Sequence, residues 1–171
     1  MLSNWESALA HVLESEGGWS DHPADPGGAT MKGVTLATYR EYKRNPHITK
    51  DELRNISDAE LSDIYKKGYW DKCRCDDLPS GIDYLVFDAA VNMGAGRSSK
   101  LLQESVGVTP DGGIGPITLA AVAAQDVNEL IEKFSQEKEK FYRSLSTFET
   151  FGKGWLNRVA AVKTHANTML G

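Results

Sequence analysis

The segment 14–35, ESEGGWSDHPADPGGATMKGVT, holds three side chains whose types and spacing suit acid–base chemistry: Glu16, Asp25 nine residues on, and Thr30 five after that. A carboxylic acid that keeps its proton near neutral pH can donate it to a leaving group. A second carboxylate can orient or activate a water, and a hydroxyl can hold that water. Glu16 has the clearest position of the three. Trp5, Leu9, Val12 and Leu13 recur at helical spacing, and the next step along that stripe lands on Glu16, whereas Glu14 points the opposite way. A carboxylate therefore ends a core-facing stripe. Partial burial and the negative end of the helix dipole both act to keep its proton on, and Gly17 and Gly18 end the helix without side chains that would obstruct approach. Read in isolation, Glu16 is a solvated helix-terminal glutamate and Asp25, before Pro26 and Gly27, an Asx-turn residue. The surrounding residues decide between these readings.

EGGW at 16–19, DPGG at 25–28, Thr30, and KGVT at 32–35 together resemble the signature of glycoside hydrolase family 108. Members of that family are peptidoglycan-cleaving muramidases found as phage endolysins and in prophage-like secretion loci. The resemblance implies a lysozyme-like fold and bacterial peptidoglycan as the partner. The order Glu16, Asp25, Thr30 is also similar to the Glu, Asp, Thr triad of phage-type lysozymes, with the gap from Asp25 to Thr30 one residue shorter here than in that wider group. On this reading Glu16 protonates the leaving oxygen, Asp25 orients or activates water from the opposite face, and Thr30 holds that water. The carboxyl separation then belongs to the inverting range of about 6.5–9.5 Å.

Five further residues are candidates for substrate contact. Trp19 and Gly28 lie inside the EGGW and DPGG motifs. Tyr69, followed by Trp70, matches a YW pair frequent in the family; core packing is the plain explanation for either ring, the alternative being that one lines a sugar cleft, since aromatic faces stack on sugar C–H surfaces. Asn92 falls in a V-N-x-G ending whose asparagine faces the cleft in lysozyme-like proteins, while as a bare residue it reads as a helix C-cap. Asp111 opens PDGGIGPIT at 110–118, which resembles the PDG-x-x-GPxT turn of small peptidoglycan-binding helical modules. The same residues are sound choices wherever a loop enters a helix, since Pro116 at a first helical position loses nothing by lacking an N–H.

The chain of 171 residues suffices for one core, or one core with a small appended lobe; 40% hydrophobic and 25% charged residues are ordinary for a globular protein. A net charge of −5 carries no nucleic-acid footprint, and no apolar run is long enough for membrane insertion. The N-terminus lacks signal-peptide features, so the chain is expected to be made in a bacterial host cytoplasm and, as the resemblance implies, to reach the wall through a holin. Cys73 and Cys75 stand too close for an unstrained bridge and are too few for zinc, so both are read as reduced. His11, His22, His47 and His165 do not cluster in sequence; neither metal nor cofactor is expected, and a monomer is. Two rivals remain: a lytic transglycosylase using Glu16 alone, and a non-catalytic wall-binding or secretion-assisting protein.

The elements that must position these residues are mostly helical. Ser3 with Glu6, Thr49 with Glu52, Ser57 with Glu60 and Asp126 with Glu129 have capping spacing. A short helix is expected at 34–44, stopped by Asn45 and Pro46, with 28–34 a hairpin or an irregular loop. The segment 81–93 reads as a central buried helix interrupted by Asp83 and Asp88, 97–106 as the next, and Pro116 as the start of another. Leu130, Ile131, Phe134, Lys138, Phe141 and Leu145 form a core stripe, and Gly152 and Gly154 are expected to break the chain before a last helix. Its GWxNR motif, with Trp155 and Arg158, is taken to tie the C-terminus to the body. The expectation is thus a mainly α, lysozyme-like single globule, residues 1–171, of about seven to nine helices and at most a small β-hairpin near 28–35. Within it 1–93 forms the catalytic part, and 94–171 a helical peptidoglycan-binding-like part packed on it.

Overall fold

The computed structural model describes residues 2–23 and 28–170. Among them lie nine α-helices: α1 (Trp5–Ser15), α2 (Leu36–Lys43), α3 (Lys50–Arg54), α4 (Asp58–Tyr65), α5 (Ile82–Met93), α6 (Ala95–Val106), α7 (Pro116–Ala123), α8 (Val127–Arg143) and α9 (Phe148–Thr168). Three two-residue strands, β1 (Trp19–Ser20), β2 (Thr30–Met31) and β3 (Val34–Thr35), accompany them, with single 3-10 or π turns at Leu2–Asn4, Lys66–Trp70 and Cys75–Asp77. The class is mainly α, as the sequence leads one to expect. The chain divides into two compact units, one of Glu6–Lys67 and the other of the residues before Glu6 and from Gly68 onward. No helix of the described residues is long and apolar enough to cross a membrane.

In the Glu6–Lys67 unit, local chemistry sets most of the boundaries. Thr49 and Ser57 each accept a hydrogen bond from the backbone N–H three residues on, and the Glu52 and Glu60 carboxylates accept from the cap N–H in return. Both boxes therefore stop two orphan donors from going unpaired. The first helix departs from expectation: a 3-10 turn over Leu2–Asn4 precedes it, and the α-helix proper opens at Trp5 rather than directly behind Ser3. The second begins at Leu36, because Val34 and Thr35 are drawn into β3 and the Thr35 hydroxyl caps the helix by accepting from Thr38 N at 3.1 Å. It ends at Arg44, whose left-handed backbone (φ 54°) lets its N–H reach Arg40 and Glu41 carbonyls ahead of Pro46. Of its residues, Ala8, Val12, Val34, Leu53, Leu61, Ile64 and Tyr65 are buried.

The sheet is larger by one strand than the hairpin expected. β2 pairs antiparallel with β3, and β1 adds on the other side in the order β1-β2-β3. Two residues are too few to display an alternating pattern, so nothing in the sequence marked Trp19 and Ser20 as a strand. Lys32 (φ 49°) and Gly33 (φ 84°) form the two-residue β2–β3 turn, both left-handed as such a turn requires.

In the other unit, α5 packs on α6, α8 and α9, and Ile82 through Ala90 are all buried. The two aspartates inside α5 are held by specific partners. Asp83 accepts from the N–H groups of Gly81 and Tyr84 and from the Asn4 amide. Asp88 binds Lys138 Nζ at 3.0 Å and Arg158 Nη2 at 2.9 Å, so the arginine of the GWxNR motif does fasten α9 to α5. Trp5, Trp70 and Phe87 meet edge to face with ring centroids 5.2–5.5 Å apart. In α8, Tyr142 is buried while Phe141 is only partly covered, shifting the end of the expected stripe by one residue.

The expected break at Gly152 and Gly154 does not occur: α9 runs unbroken from Phe148 to Thr168. A β-carbon on Gly152 would stand 2.5 Å from Phe148 Cε2, so this glycine admits the ring of the preceding turn instead of ending the helix. Cys73 and Cys75 are buried thiols outside any disulfide, and burial pushes both above the usual thiol range.

Candidate active site

α1 carries the apolar stripe through Val12, and Glu16 follows immediately after its last residue, with its N–H bonded to Leu13 O at 3.2 Å. The glutamate is half-buried and sits outside the helix proper. From there the chain passes through Gly17 and Gly18 into β1, and Gly18 O accepts from Lys32 N at 3.1 Å. That bond draws the β2–β3 turn back onto the end of α1. A β-carbon on Gly33 would lie 3.0 Å from Glu16 Oε2 and 3.2 Å from its Cδ, and would overlap the Tyr65 hydroxyl. The Glu16 carboxyl group and the Tyr65 phenol thus both close on the same glycine, and Tyr65 Oη donates to Lys32 O at 2.7 Å.

Thr30 lies in β2, half-buried, opposite Ser20 and Thr35. Trp19 pairs with Met31, one step along the ladder, so the alternation of a strand sends Trp19 and Thr30 to opposite faces of the sheet. The Trp19 ring has the Arg54 guanidinium 5.4 Å from its centroid, a cation–π contact that occupies one face. Gly28, with φ 71°, has no atom within 4 Å of a notional β-carbon, so its glycine answers a backbone need rather than a crowded one. Asp25 lies outside the described residues. Glu16, Trp19, Gly28 and Thr30 belong to one compact unit, whereas Tyr69, Asn92 and Asp111 belong to the other.

Tyr69 stands in a single turn of π-helix, Lys66–Trp70, partly covered, while Trp70 beside it is fully buried with its indole N–H donated to Asp76 at 2.7 Å. The two rings therefore part company: Trp70 is core. Asn92 is exposed, and its amide donates to Asp88 Oδ2 at 3.0 Å, while Gly94 caps α5. Asp111 accepts from Gly113 N and from the Gln103 amide, each at 2.9 Å. Gln103, buried to 1% exposure, also lies 2.9 Å from Gly113 O and 3.2 Å from Thr118 Oγ1 and accepts from Gly112 N at 2.8 Å. It is the hub of the turn, and no sequence pattern announced it. Beside it is a recess of about 360 Å³ lined by Gln103, Asp111, Pro116, Ile117 and Thr118 among others.

A model described as glycosyl hydrolase 108 matches residues 9–94, half of the chain. A solved structure described as that of Brucella abortus SagA is 40% identical, with a TM-score of 0.88 over 99% of this chain and 97% of that one. The chain belongs to glycoside hydrolase family 108. A second model, described as a predicted peptidoglycan domain, matches residues 97–160. No curated protein matches the chain. This family 108 member is accordingly a peptidoglycan-related hydrolase, and Glu16, Trp19, Gly28, Thr30, Tyr69 and Asn92 all fall within the stretch matched by the hydrolase model.

The hydrogen bonds around Asp111 make a prediction about its turn. The Gly113 N–H, followed by the Gln103 amide, holds the Asp111 carboxyl below the usual carboxylate range. A depressed carboxylate stabilises the fold above its unfolded pKa and loses that contribution as pH falls through the folded value. Asp111→Ala is expected to lower the melting temperature by about 2–4 °C at neutral pH, and the gap to wild type should close below about pH 4. In a Glu16→Gln background its affinity for purified sacculi should fall only slightly, the stability effect dominating. Pull-down and thermal melts on the same proteins check both; strong loss of binding at constant melting temperature would assign the turn to ligand contact.

Proposed function

We propose that this chain is an endolysin-type N-acetylmuramidase, hydrolysing the β-1,4 bond between N-acetylmuramic acid and N-acetylglucosamine of bacterial peptidoglycan. The observation that carries the reading is the Glu16 carboxyl group, half-buried at the end of α1 and pressed against the turn of the small sheet, within the stretch matched by the hydrolase model. Glu16 acts as the general acid, donating its proton to the leaving glycosidic oxygen. Asp25 activates the water that attacks the anomeric carbon from the opposite face, and the Thr30 hydroxyl holds that water. Trp19, Gly28, Tyr69, Asn92 and Asp111 are the proposed substrate contacts, with Asp111 the weakest because its carboxylate is already engaged by its own turn. Residues 1–93 form the catalytic part and 94–171 a peptidoglycan-binding-like part. The protein works as a monomer and is released from the host cytoplasm to the wall through a holin.

Purified sacculi digested with the wild-type protein and analysed by mass spectrometry of the muropeptides test this directly. Reducing N-acetylmuramic acid ends are expected. Anhydro ends would replace the reading with a lytic transglycosylase working through Glu16 alone, since the muramic acid hydroxyl then takes the place of water. Uncleaved glycan would leave a wall-binding or secretion-assisting protein.

A further inference from the structure

We infer that Tyr65 is a positioning residue for Glu16, acting through the turn of Lys32 and Gly33; this rests on the reading of Glu16 as general acid. Tyr65 ends α4 and is 2% exposed, a place where phenylalanine would fill the same space. Its hydroxyl instead donates to Lys32 O at 2.7 Å. The N–H of the same residue donates to Gly18 O at 3.1 Å, two residues beyond Glu16. Lys32 is therefore gripped at both ends of its backbone, by the loop that carries the acid and by a buried phenol on α4. Both turn residues are left-handed, a conformation disfavoured for Lys32 with its β-carbon, so the grip holds a backbone that would otherwise relax.

Gly33 completes the arrangement. It is the residue that the Glu16 carboxyl group approaches, with Oε2 3.0 Å from where a β-carbon would stand. One side of the carboxyl group is thus walled by the turn, and the side turned away from it meets the leaving oxygen. Fixing the acid before substrate arrives removes a reorganisation that would otherwise fall in the transition state. Substituting Tyr65 by Phe keeps the packing and releases the turn. Substituting Gly33 by Ala drives a methyl group into the phenol and the carboxylate and strains a backbone with φ 84°.

The test compares Tyr65→Phe, Gly33→Ala and Glu16→Gln with wild type on solubilised glycan strands, following kcat, KM, the pH–rate profile and the melting temperature. Tyr65→Phe should lose about 10-fold in kcat with KM held within about twofold and a pH–rate profile of altered shape; Gly33→Ala should lose about 100-fold, as a displacement of roughly 1 Å does. Gly107→Ala, at the left-handed cap of α6 (φ 76°) with nothing within 4 Å, supplies comparable backbone strain and should lower the melting temperature while leaving the profile unchanged. In the Glu16→Gln background, Tyr65→Phe should produce no further loss, because the two residues act as one unit. A Tyr65→Phe enzyme that melts lower but keeps the wild-type kcat and profile, beside an inactive Glu16→Gln, overturns this inference alone. An active Glu16→Gln overturns it together with the assignment of the acid.

Discussion

Glu16→Gln is expected to abolish clearing of purified sacculi, by at least about 10³-fold, the upper part of the range that a positioned general acid contributes. Glutamine keeps the volume and planar shape of the side chain, so the contact with Gly33 survives. Its amide does not donate a proton to a departing alkoxide. The side chain is half-buried at the end of α1 rather than sealed in a core, so the fold has little to lose, and stability should stay within about 0.5 kcal/mol. Turbidity clearing and a thermal melt on one preparation separate the two effects. Near-normal clearing by the variant would remove Glu16 from the mechanism, and a collapsed melting temperature would show that the carboxyl group is structural.

Asp88→Ala is expected to cost about 3–5 kcal/mol of folding stability, the usual penalty for stripping the partner from a buried charge. Asp88 and Lys138 have side chains 2% and 3% exposed, and Arg158 is 25% exposed, so the arginine can turn to water and the lysine cannot. Burial already depresses the Lys138 pKa, and Asp88 is what opposes that fall. Without the aspartate the lysine pKa should fall further. For a lysine depressed in the folded state the unfolded chain binds more protons, so stability rises with pH up to the unfolded value near 10.4. The deficit of the variant should therefore be widest at and below neutral pH and shrink as pH is raised toward 10. Denaturant titrations at pH 7 and pH 9.5 measure it. A deficit independent of pH would place the cost on lost packing, and stability within 1 kcal/mol of wild type would show that the network is dispensable. Lys138→Met in the Asp88→Ala background should recover part of the loss, since it removes the stranded charge.

Features that depend on neighbours along the chain are legible in the residues alone. The boxes at Thr49 and Ser57, Asp126 at the start of α8, Pro116 at the start of α7 and the buried run of α5 all follow from side-chain chemistry within about four residues, and all stand where that chemistry puts them. The EGGW, DPGG and KGVT motifs likewise carry the resemblance to the family whose model matches the chain. Where partners lie far apart in sequence, the local signal was silent or misleading. A two-residue β1 forms only because β2 is there to pair with it. Gly152 looked like a breaker until the Phe148 ring came to rest on it. Lys138 stood on the apolar stripe with no visible partner, because Asp88 is fifty positions away and only the packing of α8 on α5 brings the charges together. Tyr65 stands at helical spacing from Leu61 and Ile64, as a core aromatic does, and its hydroxyl is the sole local hint of a polar duty. That duty is met by a carbonyl thirty-three positions earlier in the chain. Local pattern fixes which segments coil and which residues can donate a proton, because those energies are set within one helical turn. Tertiary structure decides what presses against the Glu16 carboxyl group, because closing the turn of Lys32 and Gly33 onto α1 needs hydrogen bonds from two other segments at once.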